Sequence, residues 1–161
     1  MKIKIYTDGA CSGNPGAGGW GAVVCLPEKT IKLSGYEADT TNNRMELSGV
    51  INGLKTVSEM IYQEEIESKQ IDLEIVSDSA YVINAINQRW LEFWKNNEYV
   101  NSKGVTVKNK DLWLVLDNLL HEMEFISVPV VFTKIKGHAG HPMNELADRL
   151  AVNEYKKHIG G

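Results

Sequence analysis

The chain has 161 residues, 43% of them hydrophobic, and a formal net charge of −4. That length suits one globular domain, residues 1–161, large enough to bury its own core. No run of about 18 apolar residues is present to cross a bilayer, and the N-terminal residues lack the basic, apolar and small-residue order of a signal peptide, so a cytoplasmic protein with no membrane partner is expected. Cys11 and Cys25 are too few for a disulfide framework and have no Cys-x-x-Cys spacing, which leaves them as buried or loop thiols.

The charge is uneven. From Glu59 to Glu74 there are six acids and one base, and the rest of the chain sums to +1. From Arg89 to Lys110 five bases face two acids, with Trp90, Phe93, Trp94 and Tyr99 interleaved. A polyanion would meet this second stretch, whatever the overall sign.

Ile3 and Ile5 alternate with lysines and lead into Tyr6 and Thr7, which reads as a first strand ending at Asp8. Gly18 to Leu26 and Thr30 to Tyr36 read as two more, giving a three-stranded antiparallel meander. Thr41 or Asn42 suits the cap of a helix whose apolar positions are Leu47, Val50, Ile51, Leu54 and Val57. The acidic stretch reads as a helix extension and loop, "IDLEIV" as a fourth strand, and Ser79 to Asn87 and Trp90 to about Asn97 as helices. After a polar loop, Lys110 to His121 has helical spacing. Pro129 to Thr133 is a nearly all-apolar strand, as if both faces were covered. Pro142 then opens a helix with Met143, Leu146, Ala147, Leu150 and Ala151 on one stripe. The order predicts an α/β domain with a mixed sheet and helices on both faces.

Four acids fall at instructive positions: Asp8 at the end of strand one, Glu46 near the start of helix one, Asp78 after strand four and Asp148 in the last helix. Each has an ordinary alternative. Asp8 suits a turn, Glu46 a helix dipole, Asp78 a cap for the helix at Ser79, and Asp148 a solvent face. Jointly they suggest more, because parallel neighbouring strands one and four would bring Asp8 and Asp78 together, and close carboxylates repel unless a cation joins them. Oxygen ligands without a Cys or His cluster point to Mg²⁺ or Mn²⁺, and Mg²⁺ commonly shares its shell with phosphate oxygens.

The blocks "YTDGACSGNPGAGGWGA", "TTNNRMEL", "SDSAYV" and "KGHAGHPMNELADRLA" resemble, in order, the signature blocks of bacterial-type (type 1) ribonuclease H. The resemblance runs from Tyr6 to Ala151. It implies the ribonuclease H fold, a five-stranded mixed sheet in order 3-2-1-4-5, and endonucleolytic hydrolysis of the RNA strand of RNA/DNA hybrids leaving 5′-phosphate and 3′-hydroxyl ends. The family's carboxylate tetrad falls on Asp8, Glu46, Asp78 and Asp148, and its flexible-loop histidine on His138. Two Mg²⁺ ions, with Mn²⁺ as a substitute, are expected with substrate: Asp8 bridging, Asp148 on the ion that activates water, and Glu46 and Asp78 on the one nearer the leaving oxygen. His138 is expected to handle a proton or speed product release.

By the same resemblance Cys11, Ser12, Gly13, Asn14 and Asn42 contact the RNA strand, where backbone groups read the 2′-hydroxyl. Asn14, Thr41, Asn42 and Arg44 lie near a DNA phosphate, and Trp90 and Trp94 wall a channel for the DNA strand. A dinucleotide-loop reading of "GNPGAGG" fails because a strand, not a helix, follows. The protein is expected to act as a monomer.

The chain also departs from its likeness. Strongly basic relatives carry dense lysine and arginine after the tryptophan helix, whereas here only Lys95, Lys103, Lys108 and Lys110 remain, which predicts weaker hybrid binding with a shallower salt dependence. Ala80 stands where some relatives have a polar residue, which puts one RNA contact in doubt. The acidic stretch is either solvated or a partner site. Rival readings are an integrase-like enzyme of the same fold, a non-catalytic hybrid-binding module, and a ribonuclease H domain released from a reverse transcriptase.

Overall fold

The computed structural model describes residues 1–67, 69–137 and 139–159. Five strands form one sheet, β1 (Lys2–Cys11), β2 (Gly16–Cys25), β3 (Thr30–Thr40), β4 (Asp72–Ser77) and β5 (Val130–Lys134). Their order is β3-β2-β1-β4-β5, the expected mixed sheet. The first three pair antiparallel through short connections, and β4 and β5 join parallel, which requires crossovers. These are α1 (Asn42–Tyr62) before β4, and α2 (Ala80–Asn87), α3 (Trp90–Asn96) and α4 (Lys110–Phe125) before β5; α5 (Pro142–Ile159) closes the chain.

Alternation along β1 assigns the two faces. Ile3 and Ile5 are fully buried and belong to the large core with Leu47 and Leu54 of α1, Val82 of α2 and Trp113 and Leu116 of α4. The opposite face carries α5, whose Ala147 and Ala151 lie against Gly21 and Gly19 of β2. Helices therefore cover both faces.

Several expected boundaries move. β2 starts at Gly16 and β3 runs to Thr40, because glycines that read as loop still satisfy the ladder, with a bulge between Gly16 and Gly18. Thr41 caps α1, its hydroxyl accepting from the Arg44 N–H at 3.3 Å. Ser79, not Asp78, caps α2 by accepting from the Val82 N–H, so the carboxylate stays available. The expectation that β5 is covered on both faces fails: Phe132 is buried but Val131 is exposed. β5 is an edge strand, and α5 lies over β1, β2 and β3.

Candidate active site

β1 and β4 run parallel in register from Lys2 opposite Asp72 to Tyr6 opposite Val76. Each chain then continues two residues to an aspartate, Asp8 and Asp78. This places Asp78 just past the carboxyl end of β4 and Asp8 inside β1, beyond the part paired with β4: β1 does not stop at Asp8 as expected but runs on to Cys11, because β2 continues to pair with it. Functional groups of open α/β sheets gather in this region.

Glu46 arrives from α1. The approach depends on Gly9: a Cβ there would stand 2.5 Å from the Glu46 nitrogen and 2.6 Å from the Met45 carbonyl carbon, so any side chain would push the helix away. Carboxylate oxygens of Asp8, Glu46 and Asp78 lie within 4.8 Å of one another. Asp148 of α5 lines the same cleft, with Cys11, Asn42, Asn43, Ser79 and Tyr81. It stands outside the tight trio yet close enough for its charge to act on Asp8.

The electrostatics follow from this crowding. Burial first, and then the charge of Asp78, push the Asp8 carboxyl up to about 7, although the Gly9 N–H donates to its Oδ1 at 2.9 Å. Glu46 is held well above the ordinary carboxylate range, by burial first and then by the Asp8 charge. Its Oε2 is buried with no hydrogen-bond partner among the described residues. Three acids converging on one point, one with an orphaned oxygen, form a set of hard oxygen donors that a divalent cation would complete.

The other expected contact residues divide. The loop between β1 and β2 closes through the Ser12 N–H donating to the Ala17 carbonyl at 2.7 Å, leaving Ser12, Gly13 and Asn14 exposed. Asn14 Oδ1 accepts from the Asn42 N–H at 3.1 Å, which ties that loop to the start of α1. The Cys11 thiol is half-buried, with its sulfur 3.4 Å from the Gly16 and Thr40 carbonyls. The Arg44 guanidinium forms a bidentate pair with Asp111. Trp90 is exposed at the surface, and Trp94 is partly buried against Trp113. His138 lies outside the described residues; its neighbour Gly137 sits where a Cβ would be 2.5 Å from Asp78 Oδ2.

Tyr81 is a cleft residue the sequence reading passed over. Its hydroxyl accepts from Asn109 Nδ2 at 3.1 Å and from Trp113 Nε1 at 3.0 Å, and Asn109 Oδ1 in turn accepts from Arg44. Its place three residues after Asp78, at the start of a helix, was the available signal. Asn109 and Asp111, from a distant loop and helix, gave none.

Comparison with known proteins agrees with this arrangement. The family model described as RNase H matches residues 1–156. A ribonuclease H of Acetivibrio thermocellus is 44% identical over 97% of this chain and 96% of its own length. One from Syntrophomonas wolfei is 48% identical over 96% and 97%. Among solved structures, LC9-RNase H1, a type 1 RNase H with the type 2 active-site motif, superposes with a TM-score of 0.76 at 26% identity, over 97% of this chain and 72% of that one. LC11-RNase H1, solved in complex with RNA/DNA hybrid, shares the fold with a TM-score of 0.69 at 24% identity, over 98% and 99%. The converging carboxylates thus stand in a chain that belongs to the ribonuclease H family of enzymes.

Proposed function

We propose that the protein is a metal-dependent endonuclease that hydrolyses the RNA strand of RNA/DNA hybrids, as a single catalytic domain, leaving 5′-phosphate and 3′-hydroxyl ends. The observation that carries the reading is the convergence of Asp8, Glu46 and Asp78 within 4.8 Å, in a chain whose relatives are named ribonuclease H.

Asp8, which faces the charges of Asp78 and Asp148 and the carboxyl of Glu46, would with those three residues hold divalent ions, Mg²⁺ or Mn²⁺. Bound ions of this kind supply water activation and charge neutralisation at the scissile phosphate. The chain's own part is positional. The β1 and β4 backbones fix two carboxylates on rigid elements, and Gly9 lets the α1 carboxylate join them. No protein nucleophile is needed: water attacks phosphorus, and the bond to the 3′-oxygen breaks. The exposed Ser12, Gly13 and Asn14 loop, with Cys11 and Asn42 in the cleft, supports reading of the RNA 2′-hydroxyl through backbone groups. Trp90 and Trp94, with Thr41, would serve the DNA strand. His138 would move a proton or speed release, so His138→Ala should slow turnover without eliminating it.

The test is incubation with a labelled RNA/DNA hybrid, duplex DNA and single-stranded RNA, with Mg²⁺, with Mn²⁺ and with chelator. Cleavage confined to the RNA of the hybrid and abolished by chelator is expected. Cleavage of duplex DNA, cleavage surviving chelation, or binding without cleavage would overturn the reading.

A further inference from the structure

The acidic stretch that follows α1 has no part in the proposed function. α1 ends at a left-handed residue, Glu64 (φ 60°), after which the Glu65 and Ile66 N–H groups donate to the Met60 carbonyl at 2.9 and 3.4 Å. Bonds of this kind close a helix C-terminus and turn the chain back. Ile66 thereby packs against the core, while Glu64, Glu65 and Glu67 stay exposed.

The turn between β2 and β3, closed by the Leu26 N–H donating to the Lys29 carbonyl at 2.9 Å, lines one cavity with this helix end, of about 700 Å³. Leu26, Pro27, Met60 and Ile66 supply its apolar lining, and Glu28, Glu65 and Glu67 its acids, beside Lys29 and Lys69. An adjoining hollow of about 520 Å³ shares Ile66, Glu67 and Lys69 and adds Ile61 and Glu64. Glu59 and Asp72, at the two ends of the connection, are exposed as well. The surroundings therefore stay acidic even with the Met1 ammonium counted, which the Gln70 carbonyl holds. None of these charged side chains makes an ion pair among the described residues. Met1 also lines the cavity, which puts it at the opposite end of β1 from Asp8, about 20 Å along the strand.

We propose that this cavity is a docking site for a basic segment of a partner protein, which seats an apolar side chain on Leu26, Met60 and Ile66 and sets lysine or arginine against the glutamates. The inference does not depend on the proposed function. An apolar hollow rimmed by polar groups marks an interaction surface, and the charge of the rim selects the occupant. Nucleic acid or an anionic membrane is repelled by these acids, whereas a cationic segment is drawn to them. The distance from the carboxylate cleft leaves that cleft open while the partner is held.

The experiment titrates the isotope-labelled full chain with a capped peptide of two leucines flanked on each side by three lysines, read by amide shifts and by anisotropy. Two companion peptides replace the lysines by glutamates or the leucines by serines. The lysine–leucine peptide is expected to shift the amides of Leu26, Glu28, Met60 and Ile66 and to bind about 10-fold or more tighter than either companion, the loss expected for a few exposed ion pairs or for an apolar anchor. Glu65→Lys combined with Glu67→Lys, both at exposed positions, should weaken that peptide by about 10-fold or more, strengthen binding of the glutamate–leucine peptide, and leave the melting midpoint and hybrid cleavage unaltered. No binding, equal binding of the three peptides, shifts confined to the cleft around Asp8 and Glu46, or unchanged affinity in the double variant overturns the proposal. So does self-association of the parent that the double variant abolishes while peptide affinity stays the same, since the cavity would then fit a second copy. Hybrid cleavage by the parent chain is scored separately, so the two readings can fail independently.

Discussion

Arg44 of α1 and Asp111 of α4 meet through two parallel hydrogen bonds, Nη1 to Oδ1 at 3.0 Å and Nη2 to Oδ2 at 2.9 Å. The pair holds Asp111 below the ordinary carboxylate range, through its hydrogen bond with Arg44 first. It also neutralises the cation nearest the start of α1. Asp111 is largely exposed, so the pair should stabilise the fold by no more than about 1 kcal/mol.

Freeing the guanidinium should therefore affect binding more than folding. Asp111→Asn is expected to tighten binding of the hybrid and to steepen the slope of log K against log salt by about 0.9, one additional phosphate contact. Titration at matched salt checks this, and equal slopes for the two proteins would count against Arg44 reaching a phosphate.

The raised carboxyl of Asp8 makes stability depend on pH when metal is absent. Between about 4 and 7 the folded chain keeps the proton that the unfolded chain has released, so this contribution is fully present below about pH 4 and is lost as pH rises through about 7. The effect is on the order of a few kcal/mol. Thermal melts in chelator should show a lower midpoint at about pH 8 than at about pH 5, and Asp8→Asn should raise the midpoint at the higher pH while nearly abolishing cleavage. A variant that melts below its parent at pH 8 would contradict the crowding argument.

The same proton competes with a cation. Mg²⁺ should raise the melting midpoint at about pH 8 and progressively less as pH falls below about 7, because Asp8 must give up its proton before it can act as a ligand. Glu46→Gln should weaken this stabilisation. A midpoint gain independent of pH would place the ion elsewhere.

Tyr81→Phe keeps the ring but strips an acceptor from two donors, Asn109 Nδ2 and Trp113 Nε1. A loss of about 1–3 kcal/mol is expected, the cost of leaving a buried donor unpaired, together with a change in tryptophan fluorescence. Denaturant unfolding measures the first, and a stability equal to that of the parent would show that the hydroxyl has no structural role.

Much of the fold was legible because it rests on local periodicity. The alternation of Ile3 and Ile5 and the three- and four-residue steps of α1 describe buried stripes that survive in the folded chain, whereas of the stripe expected on α5 only Ala147 and Ala151 are buried and Met143, Leu146 and Leu150 are half-buried. The errors have local causes too. A glycine-rich run such as 16 to 19 reads as loop, yet it can sit in a ladder when neighbouring strands supply the hydrogen bonds. The apolar composition of β5 could not reveal that α5 would cover β1 to β3 and leave Val131 in solvent.

By itself the sequence determined which residues could do the chemistry: four acids at element junctions, a glycine loop beside the first, and ordered blocks resembling one family. Only the tertiary structure decided how they stand. It drew Asp8, Glu46 and Asp78 into one cluster with Asp148 at its margin, paired Arg44 with a residue 67 positions away, and set Ile66 and its flanking glutamates in one cavity with the turn between β2 and β3. The physical reason is that residue type and spacing fix secondary structure within a few turns, whereas contact between distant side chains depends on strand register and on which face each helix covers.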